Sequence, residues 1–521
     1  MFVISPDFCY SSGMKKYNLF LLIPSVMCLS ACNVSPQNSF SSISELPETS
    51  QSSQTSEQTS TSETSSSSSL NTEVPETSQL YEDLFTPEKK VEIIAEFTNE
   101  AIYKLGQYGP NSSPFEKKEM YHPANVVIKI DGEVVFDDIE VGFRMRGNTS
   151  RVEGFSNEDG TFNDKLCNLK MSFNETFDDE EDNDYYIREW ENKDVRKVRK
   201  NRRFADLKKL DLKWNKNYDN TFTRDPYAKW IYAEEGIVCQ KANLAELTLK
   251  TPTDEIKELF TIFEPLDGSL IEKNYPEAEA QGNLYKGSWG CMLTTGTIHG
   301  DKVGIESANN TPIYDLKTND DEPDHTLLKS LVNKLNNKGS AEDFKKTLDE
   351  IVNVEQVLKY SALAWVVGNP DDMRNNMNNT YFYFNSLNNK LEILPYDDDR
   401  CFGILQDWAI DMSYVPDYTT KMAGRDRAWQ ENPLLWRLFL KSDDPNAPGK
   451  NYPVIEEYRQ RYFDLCEEYA NKYLKVETFD AFTNRFALAP SKDSSIGGGE
   501  NQSFRQYANA KITQYTNLGA K

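Results

Sequence analysis

The residues best suited to chemistry lie between Gly368 and Gly403. The stretch opens on Asp371-Asp372-Met373-Arg374-Asn375-Asn376-Met377-Asn378-Asn379 and closes on Leu394-Pro395-Tyr396-Asp397-Asp398-Asp399. Between them, Thr380 to Phe384 and Lys390 to Pro395 read as the two strands of a hairpin. A hairpin returns its flanks to one end, so the two acidic clusters should meet there. Carboxylate and amide oxygens suit a hard cation such as Mg²⁺. Two Asp and one Asn converging on one point could hold that ion while a further Asp orients a hydroxyl nucleophile. Acidic clusters in an acidic chain are also simply solvated turns, and for Asp371 both readings stay open. The chain has 3 His, at 122, 299 and 325. Their separation argues against a His-built zinc site and against His-centred base catalysis.

The elements that must position these residues fall into two groups. Val126, Ile128 and Ile130 alternate with polar residues before Asp131-Gly132, which predicts a hairpin over Ala124 to Phe136. Further strands are expected at Phe143 to Arg146, Asn168 to Phe173, Leu207 to Lys213, Ala242 to Leu249 and Leu259 to Glu264. A helix is expected over Arg224 to Glu235, ending at Gly236. Beyond that the pattern turns helical. Ser340 and Asp343 resemble a capping arrangement before Phe344, Leu348 and Ile351, and Asn353 could cap the next helix. That helix stops at Gly368-Asn369-Pro370. Further helices are expected near 432–441, 452–475 and 501–517. The plan is α+β and bilobal, with a β-rich lobe at about 84–290 and a helical lobe at about 291–521.

Charge narrows the partners. The 521 residues carry 58 Lys plus Arg against 83 Asp plus Glu, a net charge of −25. Such an excess opposes phosphate backbones, so no nucleic-acid partner is expected. An acidic insert, Glu175 to Asp184, and a basic run, Arg196 to Arg203, read as a solvated loop whose charges offset each other. A sharper reading gives the basic run an acidic or phosphorylated substrate to recruit.

The N-terminal region reads as an address. Met14-Lys15-Lys16, the apolar run Tyr17 to Met27 and Leu29-Ser30-Ala31-Cys32 describe an export signal. Leu-Ser-Ala-Cys resembles a bacterial lipobox, which implies lipid on Cys32, anchorage to the outer face of the cell membrane, and Met14 as the true start. Residues 33–83 are Ser/Thr-rich and poor in core formers, so a disordered tether is expected. Of 8 Cys, three (Cys9, Cys28 and Cys32) lie in this leader. The other five have no paired spacing and should be buried free thiols.

A family resemblance rests on several separate stretches. Leu394-Pro395-Tyr396-Asp397-Asp398-Asp399-Arg400-Cys401-Phe402-Gly403 resembles the IPWDxDxxFG motif of the CotH kinase family, with Tyr396 in place of Trp. Asn379-Thr380-Tyr381-Phe382-Tyr383 resembles the motif before it, and Phe143 to Ser150 resembles RxRGNSS. Leu207 to Asn215 with the following Arg224, Glu264 after a strand, and Gly282-Asn283-Leu284-Tyr285-Lys286 match in the same order. Together they span roughly residues 120–410.

The resemblance implies an atypical protein-kinase-like fold that moves the ATP γ-phosphate to Ser or Thr hydroxyls of exported proteins, with ATP and Mg²⁺ or Mn²⁺. It makes Asp372 the catalytic base, with Asp371 as the alternative. Asn379 (or Asn378), Asp397 and Asp399 become metal ligands. Arg146 and the loop Gly147 to Ser150 would meet phosphates, as would Lys170 (or Lys165) and Lys286. Glu264 would pair with the phosphate-binding Lys. A different class of function, a catalytically inactive surface protein used for adhesion or scaffolding, is the alternative. A CotH-like domain acting on a wall polymer or small molecule is a third.

Overall fold

The computed structural model describes residues 73–107, 120–147, 150–151, 154–163, 166–177, 193–215, 219–298, 312–337, 339–374, 376–404, 432–439, 453–497 and 502–519. Cys32 and its leader, Asn148, Thr149, Lys165, His299 and most of the acidic insert lie outside the described residues. In chain order the helices are α1 (Gln79–Phe85), α2 (Asn99–Leu105), α3 (Lys193–Asn201), α4 (Arg224–Glu234), α5 (Gly268–Asn274), α6 (Thr326–Asn336), α7 (Ala341–Ile351), α8 (Val354–Val367), α9 (Pro433–Leu438), α10 (Glu456–Tyr473), α11 (Val476–Asn484) and α12 (Phe504–Gly519). The strands are β1 (Val91–Glu96), β2 (His122–Ile130), β3 (Glu133–Met145), β4 (Leu169–Ser172), β5 (Lys209–Trp214), β6 (Ala242–Lys250), β7 (Glu255–Phe263), β8 (Leu284–Gly287), β9 (Tyr314–Leu316), β10 (Thr380–Phe384) and β11 (Leu391–Pro395).

The fold is mixed α+β. Seven strands close into a barrel in the order β1-β2-β3-β4-β5-β7-β6. Closure leaves no exposed edge for another chain to pair with. Alternation fills it: Val126, Ile128, Val141, Phe143, Leu169, Met171, Leu210, Leu212 and Ile262 share one buried core. The expected β2–β3 hairpin turns on Asp131 and Gly132, both at positive φ, the backbone a two-residue hairpin turn demands.

A second, antiparallel sheet has the order β11-β10-β8-β9. The GNLYK stretch therefore contributes its strand to this sheet: Lys286 of β8 sits opposite Tyr381 of β10. Helix α8 is buried over most of its length and packs on α10. It ends in a left-handed cap at Gly368, φ 61°, where a Cβ would stand 2.0 Å from the Tyr507 hydroxyl. Ser340 caps α7 as expected; Asn353 begins α8 without a side-chain cap bond and reaches Glu392 at 3.0 Å.

Two expectations need correction. Helix α1 begins inside the stretch assigned to the tether. Ser78 caps it and Tyr81 is buried, so order begins before residue 84. An aromatic ring with a buried hydrogen-bond partner outweighs the polar composition around it. The basic run is not a loop but mostly helix α3, and among the described residues its charges meet β3: Arg202 reaches Asp138 at 3.1 Å and Arg199 contacts Glu140. The five other cysteines, Cys167, Cys239, Cys291, Cys401 and Cys466, are free and buried as expected.

Candidate active site

The site is built on the outer wall of the barrel. Leu210 and Leu212 of β5 point inward, so Asp211 and Lys213 point out. Arg146, just past β3, points the same way. Its guanidinium meets Asp211 at 3.1 Å and donates to the Tyr396 hydroxyl at 2.6 Å. Burial opposes the charge on Arg146, but Asp211, Tyr396 and Asp397 hold it, raising its pKa. Lys170 of β4 lies 3.3 Å from the other oxygen of Asp211.

Lys213 is the hub. Its ammonium lies 2.9 Å from Asp225 at the start of α4 and 3.5 Å from Asp399, and it also contacts Asp397. One helical turn on from Asp225, Lys229 meets Asp398 at 2.5 Å. Asn369 donates to Asp398 at 3.2 Å and to the Asp397 carbonyl at 3.1 Å. The loops on either side of the β10–β11 hairpin are thus tied together and to α4. Asp397 adopts φ 58°, a left-handed backbone uncommon for a residue with a side chain.

The electrostatics separate the acids. Burial would raise Asp397, but Lys213, Arg146 and Lys229 hold it well below the usual carboxylate range. Its side chain stays 37% exposed, open to a ligand. Asp399 has the opposite fate: burial, with Asp397 and Asp225 against the pull of Lys213, pushes it up to about 7. Asp371 is also raised, by burial and by Asp397, although Asn376 and Asn378 donate to it at 2.6 and 3.2 Å. A cavity of only about 10 Å³ is lined by Arg146, Lys213, Asp225, Lys229, Tyr396 and Asp397.

A family model described as CotH kinase protein matches residues 173–487, more than half of the chain. The chain belongs to the CotH kinase family. No curated protein matches it.

Membership gives the expected site residues a common frame, and the structure sorts them. Of the adjacent pair Asp371 and Asp372, Asp371 lies within the electrostatic reach of Asp397 and Arg400. Asp372 is 4% exposed and, like Asp398, raises the buried Tyr360 and Tyr232. Asp372 is the expected base, with Asp371 as its alternative; Asp397 acts on Asp371. Asn378 bonds Asp371, and Asn379 holds a left-handed backbone, φ 45°. Lys286 joins the cluster, with its ammonium 5.0 Å from the Tyr396 ring centre.

Glu264 follows Phe263, which pairs with Asp211 and lines the same cavity. It is wholly buried, pairs with Lys273 at 2.8 Å and accepts from the Tyr81 hydroxyl at 2.6 Å. It braces α1 and α5 through Tyr81 and Lys273. The acid that pairs with the site's Lys is Asp225. Sequence reasoning missed Lys213, Asp225, Lys229 and Asp211. Two signals were present: Asp211 and Lys213 alternate against Leu210 and Leu212, and Asp225 and Lys229 are four apart on one helix.

Among the described residues, no group of three or more His, Cys, Asp or Glu side chains forms a ready cage for a metal. The donors still fit a hard cation. Asp397 raises Asp371, and carboxylates close enough to repel in this way would accommodate a divalent ion.

Proposed function

We propose that this CotH kinase family member is an active, kinase-like bilobal phosphotransferase. It moves the ATP γ-phosphate to Ser or Thr hydroxyls of exported proteins. The observation that carries the reading is the convergence of Asp371, Asp397 and Lys213 at one end of the β10–β11 hairpin, against the barrel wall. Lys213, braced by Asp225, and Arg146, braced by Asp211, supply cations for phosphate oxygens. Asp397, held ionised, would hold a divalent metal together with Asp399 and an Asn of the 376–379 loop. The metal would neutralise charge on the phosphates. Asp371, raised by burial, suits a base that accepts the proton of an acceptor hydroxyl. Lys286 and Tyr396 flank the same opening.

The leader and Cys32 support a place at the outer face of the membrane, on a lipid. No helix among the described residues is long and apolar enough to cross a membrane. Lipid on Cys32 predicts that Cys32→Ser abolishes labelling by a radioactive fatty acid in cells.

The activity test uses the full chain with labelled ATP and Mg²⁺ or Mn²⁺, beside Asp397→Ala, Asp371→Asn and Asp372→Asn. Label should enter Ser or Thr with the wild type and be lost with Asp397→Ala and Asp371→Asn, each by about 100-fold or more. Asp372→Asn should act mainly on stability. A wild type that neither binds nucleotide nor transfers phosphate overturns the proposal.

A further inference from the structure

Helix α8 ends at Gly368, and the next three residues are Asn369-Pro370-Asp371. Proline has no N–H, so the first backbone donor of the acidic loop after Asn369 belongs to Asp371. That N–H donates to the Asn369 side-chain oxygen at 3.0 Å. The nitrogen of the same amide faces the other flank of the hairpin. It donates to the Asp397 carbonyl at 3.1 Å and to Asp398 Oδ1 at 3.2 Å. One side chain thus joins two loops that lie 28 residues apart in the chain. Asn369 is 1% exposed, so these bonds are shielded from competing water. Asp398 carries the link onward, because its other oxygen meets Lys229 at 2.5 Å and both groups are buried. The path Asn369, Asp398, Lys229 therefore runs from the end of α8 to α4, the helix that also supplies Asp225 to Lys213. The end of α8 is fixed in turn: the Phe402 N–H donates to the Val367 carbonyl at 2.8 Å, and the Tyr507 hydroxyl donates to the Val366 carbonyl at 2.9 Å.

We propose that Asn369 is a positioning residue: its amide sets the separation of the Asp371 loop from the Asp397 loop, so that both serve one metal-bound nucleotide. The inference rests on the phosphotransfer reading above. The role needs two N–H donors and one acceptor in a single short planar group, which Asn supplies. Asp at this position would keep the bond from the Asp371 N–H, lose both donations, and set its charge against Asp398. Leu would fill the space and make none of the three bonds. In either variant the two loops lose their common reference, while Lys213 keeps Asp225 and Arg146 keeps Asp211. Metal capture and phosphate transfer, which need both loops, should therefore fail before nucleotide binding, which needs the cations.

The test compares the full chain with Asn369→Asp and Asn369→Leu. Hydrogen–deuterium exchange reads the loops without turnover. Peptides covering residues 369–378 and 396–399 should exchange faster in both variants, and those of α10 should not. ATP affinity in EDTA should stay within about threefold of the wild type, while Mn²⁺ affinity in the presence of ATP, read by electron paramagnetic resonance, should fall about 10- to 100-fold. The kcat of transfer should fall about 100-fold with little change in KM for ATP. Should Asn369→Leu not fold, the isosteric Asn369→Asp decides. Wild-type Mn²⁺ affinity and kcat in Asn369→Asp overturn the proposal. So does faster exchange in α10 as well as in the loops, since Asn369 would then hold the fold and not the site. Equal losses of ATP and Mn²⁺ affinity overturn it too. If the wild type binds ATP and Mn²⁺ but transfers nothing, the phosphotransfer reading fails, and the loop exchange and Mn²⁺ affinity of the variants still decide the role of Asn369.

Discussion

Lys213 offers a direct perturbation, because three carboxylates share its ammonium. Lys213→Met keeps an unbranched apolar stem and removes the charge. A unit pair at the 2.9 Å of Lys213 and Asp225 attracts by about 6 kcal/mol at an effective dielectric near 20, before desolvation. Both side chains are nearly buried, at 8% and 11% exposure, and desolvation cancels much of that gain. Removing one partner of such a pair leaves the other charge buried and costs about 3–5 kcal/mol. Protonation relieves part of this loss. Asp399 already stands near 7 and Asp225 is raised; without Lys213 both rise further. A carboxyl whose folded pKa lies above its unfolded value destabilises the fold at high pH. That penalty fades as pH falls through the folded value. Urea unfolding followed by Trp fluorescence should therefore show a deficit of about 4 kcal/mol near pH 8, shrinking by about pH 5.5. Adding Asp225→Asn should restore part of the stability without restoring nucleotide binding. A variant as stable as the wild type near pH 8, or a deficit unchanged with pH, would refute the reasoning.

Three further predictions follow from buried groups. Glu264→Ala should cost about 3 kcal/mol in urea unfolding, since Lys273 and Tyr81 lose their partner, while nucleotide affinity stays within about twofold. A large loss of nucleotide affinity at full stability would return Glu264 to the site. His122 is buried, and burial, with Lys104 nearby, pushes it down to about 4. Folding thus disfavours its proton, so its contribution is intact above about pH 6.5 and is lost as pH falls towards 4, by about 3 kcal/mol in all. His122→Gln should flatten that part of the pH–stability curve, whatever its effect at neutral pH. Gly368→Ala should destabilise by about 2–3 kcal/mol, from left-handed strain and displacement of the Tyr507 hydroxyl that donates to Val366 at 2.9 Å. A neutral result in thermal unfolding would show that the cap tolerates a methyl group.

The sequence by itself determined the local elements and the family. Alternating apolar residues specified β2, β4, β5 and β6, and Asp131-Gly132 specified their first turn. The hairpin of β10 and β11, with Asp371, Asp372 and Asp397 at its flanks, was legible because its strands are adjacent in the chain. The family motifs followed for the same reason, being short and contiguous. Closure of the seven strands into a barrel was not legible. The parallel β1–β6 pairing joins residues about 150 positions apart, and local pattern carries no information on such a contact. The choice between Asp371 and Asp372 also lies beyond the sequence, since type and spacing are the same for both and only their surroundings in the fold distinguish them. Glu264 and Asp225 show the same division. Each is an acid at the edge of an element, and the sequence gives no sign of which one a lysine will meet. Burial decides it: a buried ammonium takes the carboxylate the fold brings within about 3 Å, and the fold brings Asp225 to Lys213 and Glu264 to Lys273.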